Sequence, residues 1–172
     1  MDDRFVDVVR DGYDAVIRHG PVEDKRLIVK RLARSRRVLV ASPDYVKRFG
    51  TPGSVGELKT HRGVIYSNRG EVDWRFRVGR RWITVTPQTA MRVHNGLLMR
   101  DAALAGLGMA LLPTFFLQSA LNGGSLIAVD VGAEPEGGVI HVAYPEDLRE
   151  SPKIKALTEW LRRAFDPPYW DA

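Results

Sequence analysis

Residues 93–113 read VHNGLLMRDAALAGLGMALLP, and this segment predicts a helix, a tight turn and a buried strand in succession. Asn95 is a favoured N-cap residue, and the strong helix formers after it predict a helix over residues 97–105. Gly106 suits the left-handed backbone position at a helix C-terminus. The run 109–112 is short and uniformly apolar, which is typical of a buried parallel strand.

A helix that follows one strand and leads into another forms a βαβ-like unit. Such units bind ligands where strands end and helices begin, and free N–H groups at a helix N-terminus favour an anion. The helix should bury one apolar stripe, formed at helical spacing by Leu98, Ala102 and Ala105. Asn95 is therefore a candidate ligand contact, although simple capping explains Asn95 and Gly96 equally well.

Composition points to a binding protein. The chain has 172 residues, of which 44% are hydrophobic, enough for one large domain or two small lobes. It has no cysteine, so disulfides, thiolate metal sites and cysteine nucleophiles are excluded. The sequence contains neither a Walker A motif nor a Gly-x-Ser-x-Gly elbow. The chain has four histidines, His19, His61, His94 and His141, and they lack the spacing of a metal site. We therefore predict no enzyme, with no catalytic residue, metal or cofactor.

Positive charge is concentrated in the middle of the chain. Residues 25–100 contain 18 of the 26 Lys and Arg but 4 of the 21 Asp and Glu. This excess could attract an anion or nucleic acid, or it could be a solvated face. Strict alternation predicts a hairpin over 74–86, which carries Arg75, Arg77, Arg80 and Arg81. On it, Trp74 and Trp82 could form a ligand platform or pack in the sheet.

Turn and cap residues divide the rest of the chain into short elements. Apolar runs predict strands within 14–18, 27–29, 38–41, 62–66, 126–129 and 139–144. Cap and proline signals predict helices over 2–11, 43–50, 55–60, 113–122 and from 152 onward. Residues 67–70 and 131–138 are predicted to be loops, and the second of these contains Glu134 and Glu136.

Several landmarks resemble, in the same order, the effector-binding domain of LysR-type transcriptional regulators. The segment 94–108, with its Leu-Leu-Pro ending at 111–113, resembles the family's strand-to-helix segment. Residues 5–18, FVDVVRDGYDAVIR, resemble its helix-to-strand crossing. Residues 32–45, LARSRRVLVASPDY, and the Gly-Thr-Pro at 50–52 resemble its next landmark. The resemblance covers nearly the whole chain.

This resemblance implies an α/β fold of the periplasmic-binding-protein type II kind, with two α/β lobes joined by crossing strands. Residues 1–172 would form a single effector-binding domain. Its first lobe would comprise 1–42 and 126–172, and its second lobe 43–125. The first lobe is expected to be incomplete, because the family carries two strands and an intervening helix before this point. A winged helix-turn-helix and a linker helix precede those in the family.

The resemblance also implies a function and a site. A small effector, anionic and expected to be a carboxylate, would bind between the lobes to control transcription. The expected contacts are Arg18, Tyr66, Ser67, His94, Asn95 and Gly96. For Arg18, a salt bridge between the lobes fits the sequence as well as ligand contact does.

The resemblance further implies a cytoplasmic homo-oligomer without a membrane segment. DNA would be bound only through a winged helix-turn-helix absent from this chain. The alternative is a solute-binding protein of a transporter, which shares the fold. Met1 is followed by Asp-Asp-Arg and not by the basic and apolar run of a signal peptide, which favours the regulator.

Overall fold

The structure, a computed structural model, describes residues 6–67 and 74–168. The strands in this part are β1 Val16–His19, β2 Leu27–Ser35, β3 Arg37–Ala41, β4 Arg62–Tyr66, β5 Arg75–Val78, β6 Arg81–Thr84, β7 Gln88–Val93, β8 Met109–Pro113, β9 Ile127–Ala128, β10 Glu134–Pro135 and β11 Gly138–Pro145. The α-helices are α1 Pro43–Phe49, α2 Gly96–Leu104, α3 Gln118–Asn122 and α4 Pro152–Ala164. Short 3-10 helices cover Gly56–Thr60, Thr114–Phe116 and Glu146–Leu148.

The described chain forms two compact units. Unit 1 is continuous in sequence, from residue 36 to residue 136, whereas unit 2 combines residues up to 35 with residues from 137 onward. The lobe limits inferred from the resemblance, at 42/43 and 125/126, lie near these boundaries. They leave β3 and β9 outside the middle lobe, although both strands pair within the sheet of unit 1.

Unit 1 is built on a five-stranded sheet in the order β7-β4-β8-β3-β9. β4 runs parallel to both β7 and β8, while β3 runs antiparallel to β8 and β9. The predicted strand at 109–112 is β8, and all of its residues are buried. It is parallel to one neighbour and antiparallel to the other, so the sheet is mixed.

Alternate residues of the central strands supply two separate cores, one on each face of the sheet. In β8, Met109 and Leu111 pack with α1 and the β5–β6 hairpin, whereas Ala110 and Leu112 pack with α2 and α3. This period of two explains why the strand is apolar throughout, since a strand covered on both faces has no solvent side.

The helix predicted at 97–105 is α2, but its buried face differs from the prediction. Ala102 is buried as expected, together with Met99 and Ala103, whereas Leu98 remains 49% exposed. Ala105 is exposed and serves as the C-cap residue. The predicted stripe is thus wrong at two of three positions, because the sheet beneath the helix selects which of two neighbouring apolar stripes it covers.

A second, three-stranded sheet of unit 1 has the order β10-β5-β6. It contains the predicted hairpin, in which Trp74 is buried in the core and Trp82 is exposed. The loop predicted over 131–138 is wrong in part, since β10 pairs there with β5. Glu134 and Glu136 of this segment form ion pairs with Arg77 and Arg75. A two-residue strand held by a long-range partner leaves no periodic signal in the sequence.

Unit 2 is an antiparallel sheet in the order β1-β11-β2, covered by α4. Ile154 and Leu161 of α4 pack on Val142 and Tyr144 of the central strand. The helix predicted over 2–11 is not found in the described residues 6–11, which form hydrogen-bonded turns. The remainder of that prediction lies outside the described residues.

Candidate functional site

Two strand ends meet at one edge of the sheet in unit 1. β4 and β7 are adjacent and parallel, with Tyr66 paired to Val93 at their carboxyl ends. Ser67 and His94 therefore leave the sheet at the same edge, although they are far apart in sequence. Adjacent parallel strands always bring their carboxyl ends together, and such an edge is where open α/β sheets commonly bind ligands. The structure thus brings the predicted segments 66–67 and 94–96 to one place.

Asn95 caps helix α2 at this edge. Its backbone is extended, and its side-chain Oδ1 accepts hydrogen bonds from the N–H groups of Leu97 at 2.9 Å and Leu98 at 3.2 Å. Capping therefore already engages two of the N–H groups at this helix N-terminus, where free N–H groups would favour an anion. The side-chain amide nitrogen of Asn95 is a donor that this cap does not use. The partial positive charge of the helix N-terminus also lies at this edge.

Phe116 lies beside the start of α2, a contact that no local sequence pattern predicted. A Cβ built on Gly96 would come within 2.6 Å of the Phe116 ring, which explains why glycine begins this helix. Thr114 precedes this ring in the 3-10 helix that follows β8. Its Oγ1 is buried and has no hydrogen-bond partner among the described residues, while its N–H donates to the Arg36 carbonyl at 3.0 Å.

The predicted site residues differ in exposure and fall into two groups. Ser67 and His94 are exposed, Tyr66 and Asn95 are half-buried, and Gly96 is buried. These five belong to unit 1. Arg18 belongs to unit 2, where it lies in β1 and its Nη2 donates to the carbonyl of Val6 at 2.9 Å. The predicted loop 67–70 lies outside the described residues from position 68 onward.

Residues 6–67 and 74–168 contain no group of three or more His, Asp or Glu side chains that could hold a metal ion. No helix in the same ranges is long and apolar enough to cross a membrane. The polar groups at the sheet edge are instead hydroxyl, imidazole and amide groups, which bind through hydrogen bonds.

Comparison with protein families identifies one model, which describes the LysR substrate binding domain and matches residues 1–166. Among curated proteins, an uncharacterized HTH-type transcriptional regulator of Haemophilus influenzae is 33% identical over 163 residues, covering 92% of this chain and 55% of that protein. The HTH-type transcriptional regulator DmlR of Escherichia coli is 27% identical, covering 98% of this chain and 55% of its own length. The chain thus spans about half the length of these relatives.

Solved structures show the same fold. The regulatory domain of CrgA, a LysR-type transcriptional regulator from Neisseria meningitidis, superposes with a TM-score of 0.78 at 22% identity, covering 90% of this chain and 76% of that chain. The effector domain of the transcriptional regulator AmpR of Pseudomonas aeruginosa gives a TM-score of 0.75 at 20% identity, with 94% and 77% covered. These similarities agree with the predicted periplasmic-binding-protein-like α/β architecture.

Proposed function

The chain belongs to the LysR substrate-binding domain family, and on this basis we propose that it senses a small organic anion for a LysR-type transcriptional regulator. One observation carries the proposal. Segments 66–67 and 94–96 meet at the carboxyl edge of a parallel strand pair, next to a helix N-terminus. This edge presents hydrogen-bonding groups beside a partial positive charge, which suits a carboxylate.

Each residue at the edge would have a distinct role. The Ser67 hydroxyl and the Asn95 amide nitrogen would donate hydrogen bonds to the carboxylate, while His94 would contribute a ring nitrogen. Tyr66 and Gly96 would shape the surface against which the ligand lies. Arg18 enters the proposal through the family resemblance alone, and its observed bond to the Val6 carbonyl also fits a structural role in unit 2.

The wider activity is proposed from the relatives. Since the relatives described above are transcriptional regulators, a regulator is favoured over a transporter's solute-binding protein. The whole protein would act in the cytoplasm and bind DNA through a winged helix-turn-helix. The relatives themselves are named as HTH-type transcriptional regulators. It would bind neither metal nor cofactor and would catalyse no reaction.

Self-association is also proposed. In unit 2, β1 pairs with β11 alone among the described strands, so one of its edges is open there. Tyr13 and Ile17 near this edge are each about half exposed. An open edge with apolar neighbours favours pairing with another chain. Light scattering should show oligomers whose proportion rises with concentration, and a constant monomer mass would contradict this.

The effector proposal is tested with a panel of small aromatic and aliphatic carboxylic acids, screened by ligand-observed NMR. The variants are Asn95→Asp, which adds a negative charge at the proposed site, and Thr86→Asp, which adds it on an exposed loop of the same unit. At least one acid should bind the parent chain and Thr86→Asp alike. The same acid should bind Asn95→Asp several-fold more weakly, because like charges repel. The site would be refuted if every acid that binds did so equally to all three proteins, or if no acid bound.

A further inference from the structure

A cavity of about 320 Å³ opens at the opposite end of the same strands. It is lined by Arg62, Gln88, Thr89, Ala90 and Leu107. Arg62 begins β4, Gln88 begins β7 and Leu107 lies two residues before β8, so the cavity lies at the amino edge of the three parallel strands. Its volume falls at the lower end of the range for small-molecule sites. It is separate from the edge at which α2 begins.

Two neighbours hold Arg62 in place, one at its side chain and one at its backbone. Its guanidinium lies 5.3 Å from the centre of the Phe49 ring, and its backbone N–H donates to the Tyr45 hydroxyl at 3.0 Å. Tyr45 is itself buried, and that burial raises the pKa of its hydroxyl. The start of β4 is thus fixed to a rigid, buried group, while the charged end of Arg62 stacks on a partly exposed ring.

A second arginine adds to this charge. The guanidinium of Arg48 lies 5.1 Å from the centre of the same Phe49 ring. Neither Arg48 nor Arg62 forms an ion pair with any carboxylate in the described part of the chain. By contrast, Arg75 and Arg77 of the hairpin are each neutralised by a glutamate. Two cations beside one ring repel each other, and a bound anion would relieve that repulsion.

The strand that lines the cavity is also irregular. Gly63 pairs with Thr89 and Val64 pairs with Met91, so Ala90 is an additional residue in β7. This bulge removes Ala90 from the regular ladder, next to Arg62. Bulges in parallel pairs are rare, and they are over-represented at sheet edges, where β7 lies, and next to active sites, where they redirect a side chain.

We propose that this cavity binds a small organic anion, consisting of a carboxylate on a flat apolar body. The carboxylate would pair with the Arg62 guanidinium, whose planar fork matches carboxylate geometry. Gln88 and Thr89 would add hydrogen bonds. The apolar body would lie against Leu107, which is 48% exposed, and against Ala90. This site does not depend on the effector site proposed at the carboxyl edge.

The test uses the 172-residue chain, labelled with ¹⁵N, and benzoate as the probe. Benzoate titrated into the parent should shift the backbone amide signals of residues 88–90 and 107. Arg62→Gln should lower the affinity for benzoate about tenfold or more, since a hydrogen bond to a charged group is lost. Arg81→Gln removes an exposed arginine from the β5–β6 hairpin and should leave the affinity unchanged. Both side chains are exposed, so both variants should fold as the parent does.

Two further ligands test separately whether the cavity recognises the charge and the ring of benzoate. Benzyl alcohol keeps the ring without the charge, and inorganic phosphate keeps an anion without the ring, so each should shift these amides more weakly than benzoate. The proposal is overturned if either ligand matches benzoate, or if Arg62→Gln binds as the parent does. It is also overturned if benzoate shifts only the amides of residues 96–98, or shifts none.

Discussion

The Phe116 ring lies so close to the Gly96 backbone that a Cβ at position 96 would fall 2.6 Å from its Cε2 and Cζ atoms. This contact joins the start of α2 to the segment that follows β8. Both segments lie at the proposed effector edge, so the shape of this edge depends on a residue with no side chain.

Gly96→Ala should therefore destabilise unit 1. The added methyl group requires the Phe116 ring to move, which we expect to cost about 1–3 kcal/mol, more than the gain in helix propensity. Urea unfolding followed by circular dichroism measures this cost. Gly56→Ala is the matched control, because its Cβ would meet only the Ser54 hydroxyl, at 3.9 Å. Adding Phe116→Leu to Gly96→Ala should recover part of the loss, and a single variant as stable as the parent would contradict the contact.

Replacements at Asn95 should show how much its helix cap contributes to the free energy of unfolding. Asn95→Ala removes the oxygen that accepts from Leu97 and Leu98, and it should lower the free energy of unfolding by about 1 kcal/mol. Asn95→Asp keeps an acceptor and places a negative charge at a helix N-terminus, so stability should be retained or rise by about 0.3–1 kcal/mol. Denaturant titrations of both variants test this. If both variants lost the same stability, the cap would not be the cause.

Thr158 of α4 provides a prediction for unit 2. The residue is buried, and its Oγ1 has no hydrogen-bond partner in the described ranges. Thr158→Val replaces this hydroxyl with a methyl group of similar size, and it should raise the free energy of unfolding by about 1 kcal/mol. Thr158→Ala leaves a small cavity instead and should lower it. Thermal and urea unfolding distinguish these outcomes, and a loss of stability in Thr158→Val would show that the hydroxyl is bound after all.

The Arg26 cluster in unit 2 predicts a pH dependence. The Arg26 side chain donates to Asp24 at 2.7 Å and to Asp7 at 2.8 Å. The Arg26 hydrogen bonds lower the pKa of Asp24 to about 2. A carboxyl whose pKa is lowered by folding stabilises the folded state at neutral pH, and this contribution is lost as pH falls from about 4 to 2. Arg26→Gln should raise the pKa of Asp24 toward 3.8 and flatten stability over that range. Carboxyl NMR titration checks the first effect, and an unchanged pKa would contradict it.

We expect no operator recognition by this chain alone. Several basic side chains of the described part lie on strands and on the β5–β6 hairpin, where Arg75 and Arg77 are paired with glutamates. Sequence-specific reading of DNA by this class of regulator would need a recognition helix in the major groove. Fluorescence anisotropy with duplex DNA should therefore show weak binding that disappears as salt is raised. Tight, sequence-selective binding at physiological salt would overturn this expectation.

Local chemistry allowed the helix ends to be predicted from the sequence. Ser42 accepts from the N–H of Tyr45 at 3.2 Å, Asn95 caps α2, and Gly106 takes a φ of 71° after it. Each of these depends on a few neighbouring residues and on general preferences of the backbone. Ser67 and Asn95, expected contacts of one ligand, lie at a common edge because parallel strands leave little choice of where their ends lie.

Features decided by distant residues could not be predicted in this way. The burial of Met99 in place of Leu98 depends on which stripe of α2 meets the sheet. β10 pairs with β5, a strand far away in the sequence, and places Glu134 opposite Arg77. The cavity at Arg62 forms only when residues 88 and 107 lie beside it in the fold, and no local sequence pattern predicts that they do. Ligand contact at the predicted site residues stays a prediction for the same reason.

The order of the strands in unit 2 has a consequence during synthesis on the ribosome. β1 and β2 do not pair with each other, and both pair with β11, which begins at residue 138. Unit 1 has all its residues once position 136 has emerged, whereas β1 and β2 wait for the last part of the chain. Unit 1 can therefore fold first, while the amino-terminal strands remain open to chaperones. A stop codon at position 138 would remove β11, the common partner of β1 and β2, and leave the residues of unit 1 in place.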